Sequence, residues 1–224
     1  MTRGQRVLGF IWLPVHMVLL PLVLGAVLIL VLGKMPSEAN LNAIYYAISF
    51  LFILIAFWGF LKEGFRRFTE RLGYCFLVMF IAYVMQMGLS LVLTLLSSFF
   101  GELATPNNDA VAALAGQDFK KMFAVAVLMA PIAEECLFRG VIFGSIARKN
   151  RVIAYVVTIL VFSLYHVWQF AVLEKDWTVL INAVEYFPLT SALTYCYDRT
   201  ETIWTPIFFH MLINTMALMY MVSL

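Results

Sequence analysis

"LMAPIAEECLFRGVIFG", residues Leu128–Gly144, carries two adjacent carboxylates and an arginine through a run otherwise apolar enough to sit in lipid. The setting follows from the whole chain of 224 residues, which is 63% hydrophobic and only 12% charged, with a mean hydropathy of +0.93. Soluble domains carry about twice that share of charge. The sequence therefore predicts an all-α, polytopic membrane helical bundle. A net charge of +2, with no basic patch interleaved with aromatics, gives no reason to expect nucleic acid as a partner. Cys75, Cys136 and Cys196 lie inside apolar stretches without CxxC or zinc-finger spacing and read as small buried hydrophobes.

Seven apolar runs approach the length of a membrane span: Val7–Leu32, Leu41–Leu61, Leu72–Ser98, Met122–Ala147, Val152–Leu173, Trp177–Tyr197 and Thr202–Leu224. Short polar connections and no linker join them, so residues 1–224 read as one domain. The first run follows Arg3 and Arg6 but is too long for the apolar region of a signal peptide, so it is expected to stay as a membrane helix. No internal repeat of the kind that marks a secondary transporter stands out.

Basic residues orient the array. Arg3, Arg6, Lys62, Arg66, Arg67, Arg71, Arg148, Lys149, Arg151 and Arg199 fall on one side, against Lys34, Lys120, Lys121 and Lys175 on the other. The positive-inside rule then places the N-terminus in the cytoplasm and, after seven crossings, the C-terminus outside, as expected of a multi-pass protein of a bacterial cytoplasmic membrane. "KEGFRRFTER", Lys62–Arg71, reads as an interfacial helix or a basic loop. Gly101–Gln117 is the longest non-spanning piece and faces outward.

An ionisable group inside a span costs on the order of a few kcal/mol unless it meets a polar cavity or a partner, so each one is a functional candidate. They are His16, Glu134, Glu135, Arg139, His166, Glu185 and His210, joined by Asn214. Measured from the cytoplasmic end of each run at about 1.5 Å per residue, Glu134 lies about 20 Å deep, His166 about 22 Å, His210 about 14 Å and Asn214 about 20 Å. Three helices thus bring polar groups to a similar level. Glu135 and Arg139, four apart, share a helix face and can pair, whereas Glu134 points elsewhere. His210 and Asn214 share a stripe for the same reason. Gly140 and Gly144 form a small-residue pair that would admit a neighbouring helix, and Pro131 can free a backbone carbonyl. His16, alone between Pro14 and Pro21, reads as structural, and Glu185 either lines the cavity or pairs with Arg139.

A carboxylate in an apolar pocket is poised as a general base for water. Glu134 with His166 could hold and deprotonate that water, while His210 and Asn214 supply the donors that an oxyanion requires. Together these groups describe amide hydrolysis. No serine or cysteine is evidently paired with a histidine, so a covalent nucleophile is the weaker choice. Glu134, His166 and His210 could instead ligate zinc, although no HExxH is present and the donors come from three helices.

The three elements "EECLFR" (Glu134–Arg139), "FSLYH" (Phe162–His166) and "HMLIN" (His210–Asn214) resemble the EExxxR, FxxxH and HxxxN motifs of the CPBP or Abi family, the CAAX-protease and bacteriocin-processing membrane proteins. The resemblance covers about residues 118–218, including the approach "YCYDRTETIWTPIFFHMLIN". It implies an intramembrane endopeptidase for a membrane-associated peptide, prenylated or bacteriocin-like. Glu134 would be the base, His166 its partner, and His210 and Asn214 the oxyanion donors. Glu135 and Arg139 would support the site, with Phe162 and Glu185 as candidate cavity-lining residues and no metal required. Two features depart from the family: fewer spans than its eukaryotic members, and Glu185 as an acid the motifs do not explain. From other classes, a bacteriocin self-immunity factor or scaffold, or a proton-coupled transporter, would use the same composition.

Overall fold

The quoted stretch is buried without interruption from Ala130 to Phe143, because helices cover it on every side. A helix that is apolar all round belongs in a protein interior or in lipid, and here the cover is protein. The computed structural model describes residues 1–101, 103–221 and 223, and every regular element among them is helical. Glu102 of the outward connection, and Val222 and Leu224 of the last apolar run, lie outside the described residues.

Helix α1 spans Arg3–Leu32, α2 Glu38–Glu70 and α3 Leu72–Phe100. These three helices are long and apolar enough to cross a membrane. Their outer faces carry bare apolar side chains such as Leu30, Ile55 and Phe80, as a lipid-facing surface requires. A capping box starts α1: Thr2 Oγ1 accepts from the Gln5 amide at 3.2 Å, and the Thr2 amide donates to Gln5 Oε1 at 3.1 Å. Ser37 caps α2 in the same position. The Lys62–Arg71 segment is neither a separate interfacial helix nor a loop. It continues α2 to Glu70 beyond a kink at Phe57, whose φ of −114° and ψ of 15° are non-helical. Glu63 bridging Arg66 and Arg67, and Glu70 bridging Arg66, supply the spaced charge pairs that sustain it.

Helix α4, Pro106–Gln117, occupies the outward connection. The central helix α5, residues 119–146, alternates α-helical and π-helical turns, with wide turns at Ala124–Met129 and Cys136–Phe143. Helices α6, Arg151–Tyr165, and α7, Trp168–Glu174, meet at a bend of 41° and are together long and apolar enough for a broken span or a re-entrant loop. A 3₁₀ segment, Trp177–Tyr186, leads into α8, Phe187–Thr200, and α9 is Trp204–Met221. The sixth apolar run therefore does not form one spanning helix. Asn182, Glu185 and Pro188 interrupt it, and the 14 residues of α8 reach only about 21 Å against a hydrocarbon core of about 30 Å.

Close approach to α5 occurs at Gly9 of α1, where a Cβ would run into Val141. The spaces at Gly140 and Gly144 admit side chains rather than a helix backbone: Met1 and Phe60 at the first, Tyr197 at the second. Thr202 Oγ1 donates to the Gly64 carbonyl at 2.7 Å and Trp204 Nε1 to that of Leu61 at 2.8 Å, tying the turn before α9 to the end of α2. Arg151 pairs with Asp198 at 2.7 Å on the same end of the molecule. The ten basic residues of the first group thus gather at one end, and Ala104 meets Asn182 at the other.

Candidate active site

Glu135 is fully buried and its Oε1 accepts two hydrogen bonds, from Arg139 Nη1 at 2.9 Å and from His210 Nδ1 at 2.9 Å. The four-residue spacing brings Arg139 one turn from Glu135, and α9 brings His210 across to both. Arg139 is also fully buried. Its Nη2 donates to Thr190 Oγ1 at 2.7 Å and to the Thr190 carbonyl at 3.1 Å, and the guanidinium lies 4.3 Å from the Phe162 ring centre. Both terminal nitrogens of this buried cation are thus partnered, while its Nε and the second oxygen of Glu135 have no hydrogen-bond partner among the described residues. Among the described residues Glu185 is not one of those partners.

With Nδ1–H given to Glu135, His210 turns Nε2 towards Glu134, 4.0 Å from Oε2. Glu134, 3% exposed, accepts from the Tyr46 hydroxyl at 3.1 Å through its other oxygen. Asn214 is oriented by Ala126. In the five-residue register of this wide turn, where the Ala130 amide reaches the Val125 carbonyl, the donor for the Ala126 carbonyl would be residue 131. That residue is a proline without an N–H. Asn214 Nδ2 donates to the Ala126 carbonyl at 2.8 Å, and its second N–H has no partner among the described residues. His166 sits at the bend between α6 and α7, donates Nδ1–H to the Phe162 carbonyl at 2.8 Å and stacks on Tyr186 at 4.7 Å. Its Nε2 takes part in no hydrogen bond among the described residues.

Glu134, His166, His210 and Asn214 all line one cavity of about 520 Å³, whose walls are otherwise mainly aliphatic and aromatic. Among the described residues no hydrogen bond joins Glu134 to His166, so the two face the same space as separate groups. Phe162, fully buried beneath Arg139, and Glu185 are not among the lining residues. No group of three His, Cys, Asp or Glu side chains among the described residues converges closely enough to hold a metal ion.

Sequence reasoning missed the groups behind Glu134. Tyr46, which holds its carboxylate, lies 3.3 Å from the Tyr165 hydroxyl. Tyr165 reaches His16 Nε2 at 3.1 Å and the Tyr45 hydroxyl at 3.1 Å, and His16 Nδ1 lies 2.8 Å from Ser49 Oγ. His16 is thus part of a buried hydrogen-bonded chain that ends on Glu134, and the wide turn Val15–Leu19 next to Pro14 aims it inward. The signal was the doublet Tyr45–Tyr46 in an apolar run, because a buried phenol needs a partner.

Residues 117–216 match the family described as type II CAAX prenyl endopeptidase Rce1-like. Among curated proteins, the "Membrane-embedded CAAX protease MroQ" of Staphylococcus aureus (strain USA300) is 28% identical over 143 residues, 62% of this chain and 54% of that protein. The "Putative membrane peptidase YdiL" of Bacillus subtilis (strain 168) is 30% identical over 95 residues, 42% of this chain and 34% of that protein. The chain spans 34% and 54% of the lengths of these two relatives. No solved structure gives a significant match.

Proposed function

We propose that the chain, which belongs to the CPBP/Abi family through residues 117–216, is an intramembrane endopeptidase in which Glu134 activates water. The carrying observation is the convergence of Glu134, His166, His210 and Asn214 on one largely apolar cavity. In this reading water sits between Glu134 and His166 Nε2, and the Glu134 carboxylate takes a proton as the oxygen attacks the peptide carbonyl. The oxyanion of the tetrahedral intermediate accepts from the second Asn214 N–H and from the Nε2 side of His210, whose Nδ1 side is held by Glu135. Collapse breaks the C–N bond, and Glu134 passes its proton to the leaving amine. Glu135 acts by holding His210, as the third member of a hydrolytic triad holds its histidine, and Arg139 balances its charge.

The substrate class is a membrane-associated peptide, with prenylated and bacteriocin-type peptides as the two candidates. A metal-free reaction is supported by Asn214, a poor zinc ligand whose amide can serve as an oxyanion donor. Purified protein incubated with membrane-peptide and prenyl-peptide libraries, with product ends read by mass spectrometry, tests the reading. New ends made by wild type and absent with Glu134→Ala support it, and equal product from both refutes it.

A further inference from the structure

The cavity has a direction. Its lining runs from Glu134, Tyr165, Leu189 and His210 in the bundle to the helix ends at its rim, Glu38 at the start of α2, Asn107 and Asn108 at the start of α4, and Met221 at the end of α9. No lining residue comes from Lys62–Arg71, Arg148–Arg151 or Arg199. Of the 15 Lys and Arg, Arg139 is internal, ten lie at the closed end and four at the open end. The basic end is the one retained in the cytoplasm. The mouth of the cavity therefore faces away from it.

We infer that the site is loaded from the extracytoplasmic side, by an internal apolar segment of a polypeptide that reaches the outer half of the bilayer. The lining selects the class. Aliphatic and aromatic walls suit apolar side chains, and the neutral amides Asn42, Asn107 and Gln169 offer donors and acceptors to a main chain. Neither lysine nor arginine lines the cavity among the described residues, while Glu38 and Glu134 do. A terminal carboxylate or a phosphate would enter against these acids with no cation to receive it. A bond inside a chain meets no such barrier. The substrate half of this inference rests on the peptidase reading, whereas the side of access does not.

Cysteine labelling of the full chain in intact bacterial cells decides the side. The native Cys75, Cys136 and Cys196 are buried, so wild type supplies the background. With a membrane-impermeant maleimide, Asn108→Cys at the rim should label in intact cells as fully as after permeabilisation. Lys149→Cys at the closed end should label only after permeabilisation. The opposite pattern overturns the inference, and Ala104→Cys, beside the rim and exposed, repeats the test should Asn108→Cys fail to accumulate. Two single-span reporters, with the scissile segment in the outer or the inner half of the bilayer, address the substrate. Cleavage of the outer reporter alone supports the inference and of the inner alone overturns it. If neither is cleaved while labelling is as expected, the peptidase reading fails and the side of access stands on the labelling.

Discussion

Replacing Glu135 by alanine should destabilise the protein severely, and the reason lies in Arg139 rather than in the glutamate itself. Both side chains are fully buried, and Glu135 is the only acid within bonding distance of the guanidinium among the described residues. Its removal leaves a cation whose remaining partners, Thr190 and the face of Phe162, are neutral. Breaking one side of a buried pair costs about 3–5 kcal/mol, which for a chain of this size lowers the midpoint of thermal unfolding by roughly 6–20 °C. The double variant Glu135→Ala, Arg139→Met removes both charges and should recover most of that loss, since apolar replacement of a buried pair is often near neutral. It should not recover activity, because His210 has also lost the acceptor of its Nδ1–H. Thermal unfolding in detergent, followed by tryptophan fluorescence, separates the cases. A double variant no more stable than Glu135→Ala would show that the ion pair is not what the alanine disturbs.

Other perturbations address other contacts. Tyr46→Phe removes the hydroxyl that Glu134 accepts from, and at about 1.5–3 kcal/mol for a hydrogen bond to a charged group it should lower kcat by about one to two decades. KM should stay unchanged, and steady-state kinetics with an unaltered kcat would make the contact idle. Asn214→Ala should lower turnover by about two to three decades through the lost oxyanion donor, and should also cost about 1–3 kcal/mol of stability as the Ala126 carbonyl loses its partner. Dialysis against a strong chelator should leave activity intact with far less than one zinc per chain; stoichiometric zinc with a tolerant Asn214 would instead assign Glu134, His166 and His210 as ligands. Gly9→Ala should destabilise by about 1–3 kcal/mol from overpacking, and Val141→Ala in the same chain should relieve it in the unfolding assay.

What the sequence made legible was local or compositional. Adjacent carboxylates in an apolar run, and an arginine four residues on, state an intrahelical pair because helical geometry leaves little choice. Pro131 told that a carbonyl would be freed, and the structure adds which one: a wide turn shifts the vacancy to Ala126. The contacts of Tyr46, His16 and Thr190 were not legible, since each depends on which helices become neighbours, 29 to 149 residues apart in sequence. The sixth apolar run misled for another reason. Hydropathy counts side chains, but Trp177–Tyr186 spends its length on a 3₁₀ segment that positions Tyr186 against His166. The end of α2 likewise escaped the pattern, because Glu63, Glu70 and two arginines sustain a helix by charge pairing where apolar periodicity has stopped.

The role of Glu134 as the group that activates water is tested most directly by its amide. Glu134→Gln keeps the shape of the side chain and an acceptor for the Tyr46 hydroxyl, so the variant should accumulate and unfold like wild type. Its kcat on a cleaved peptide should fall by about two to four decades, the contribution typical of a general base, and a kcat within about threefold of wild type would contradict the account.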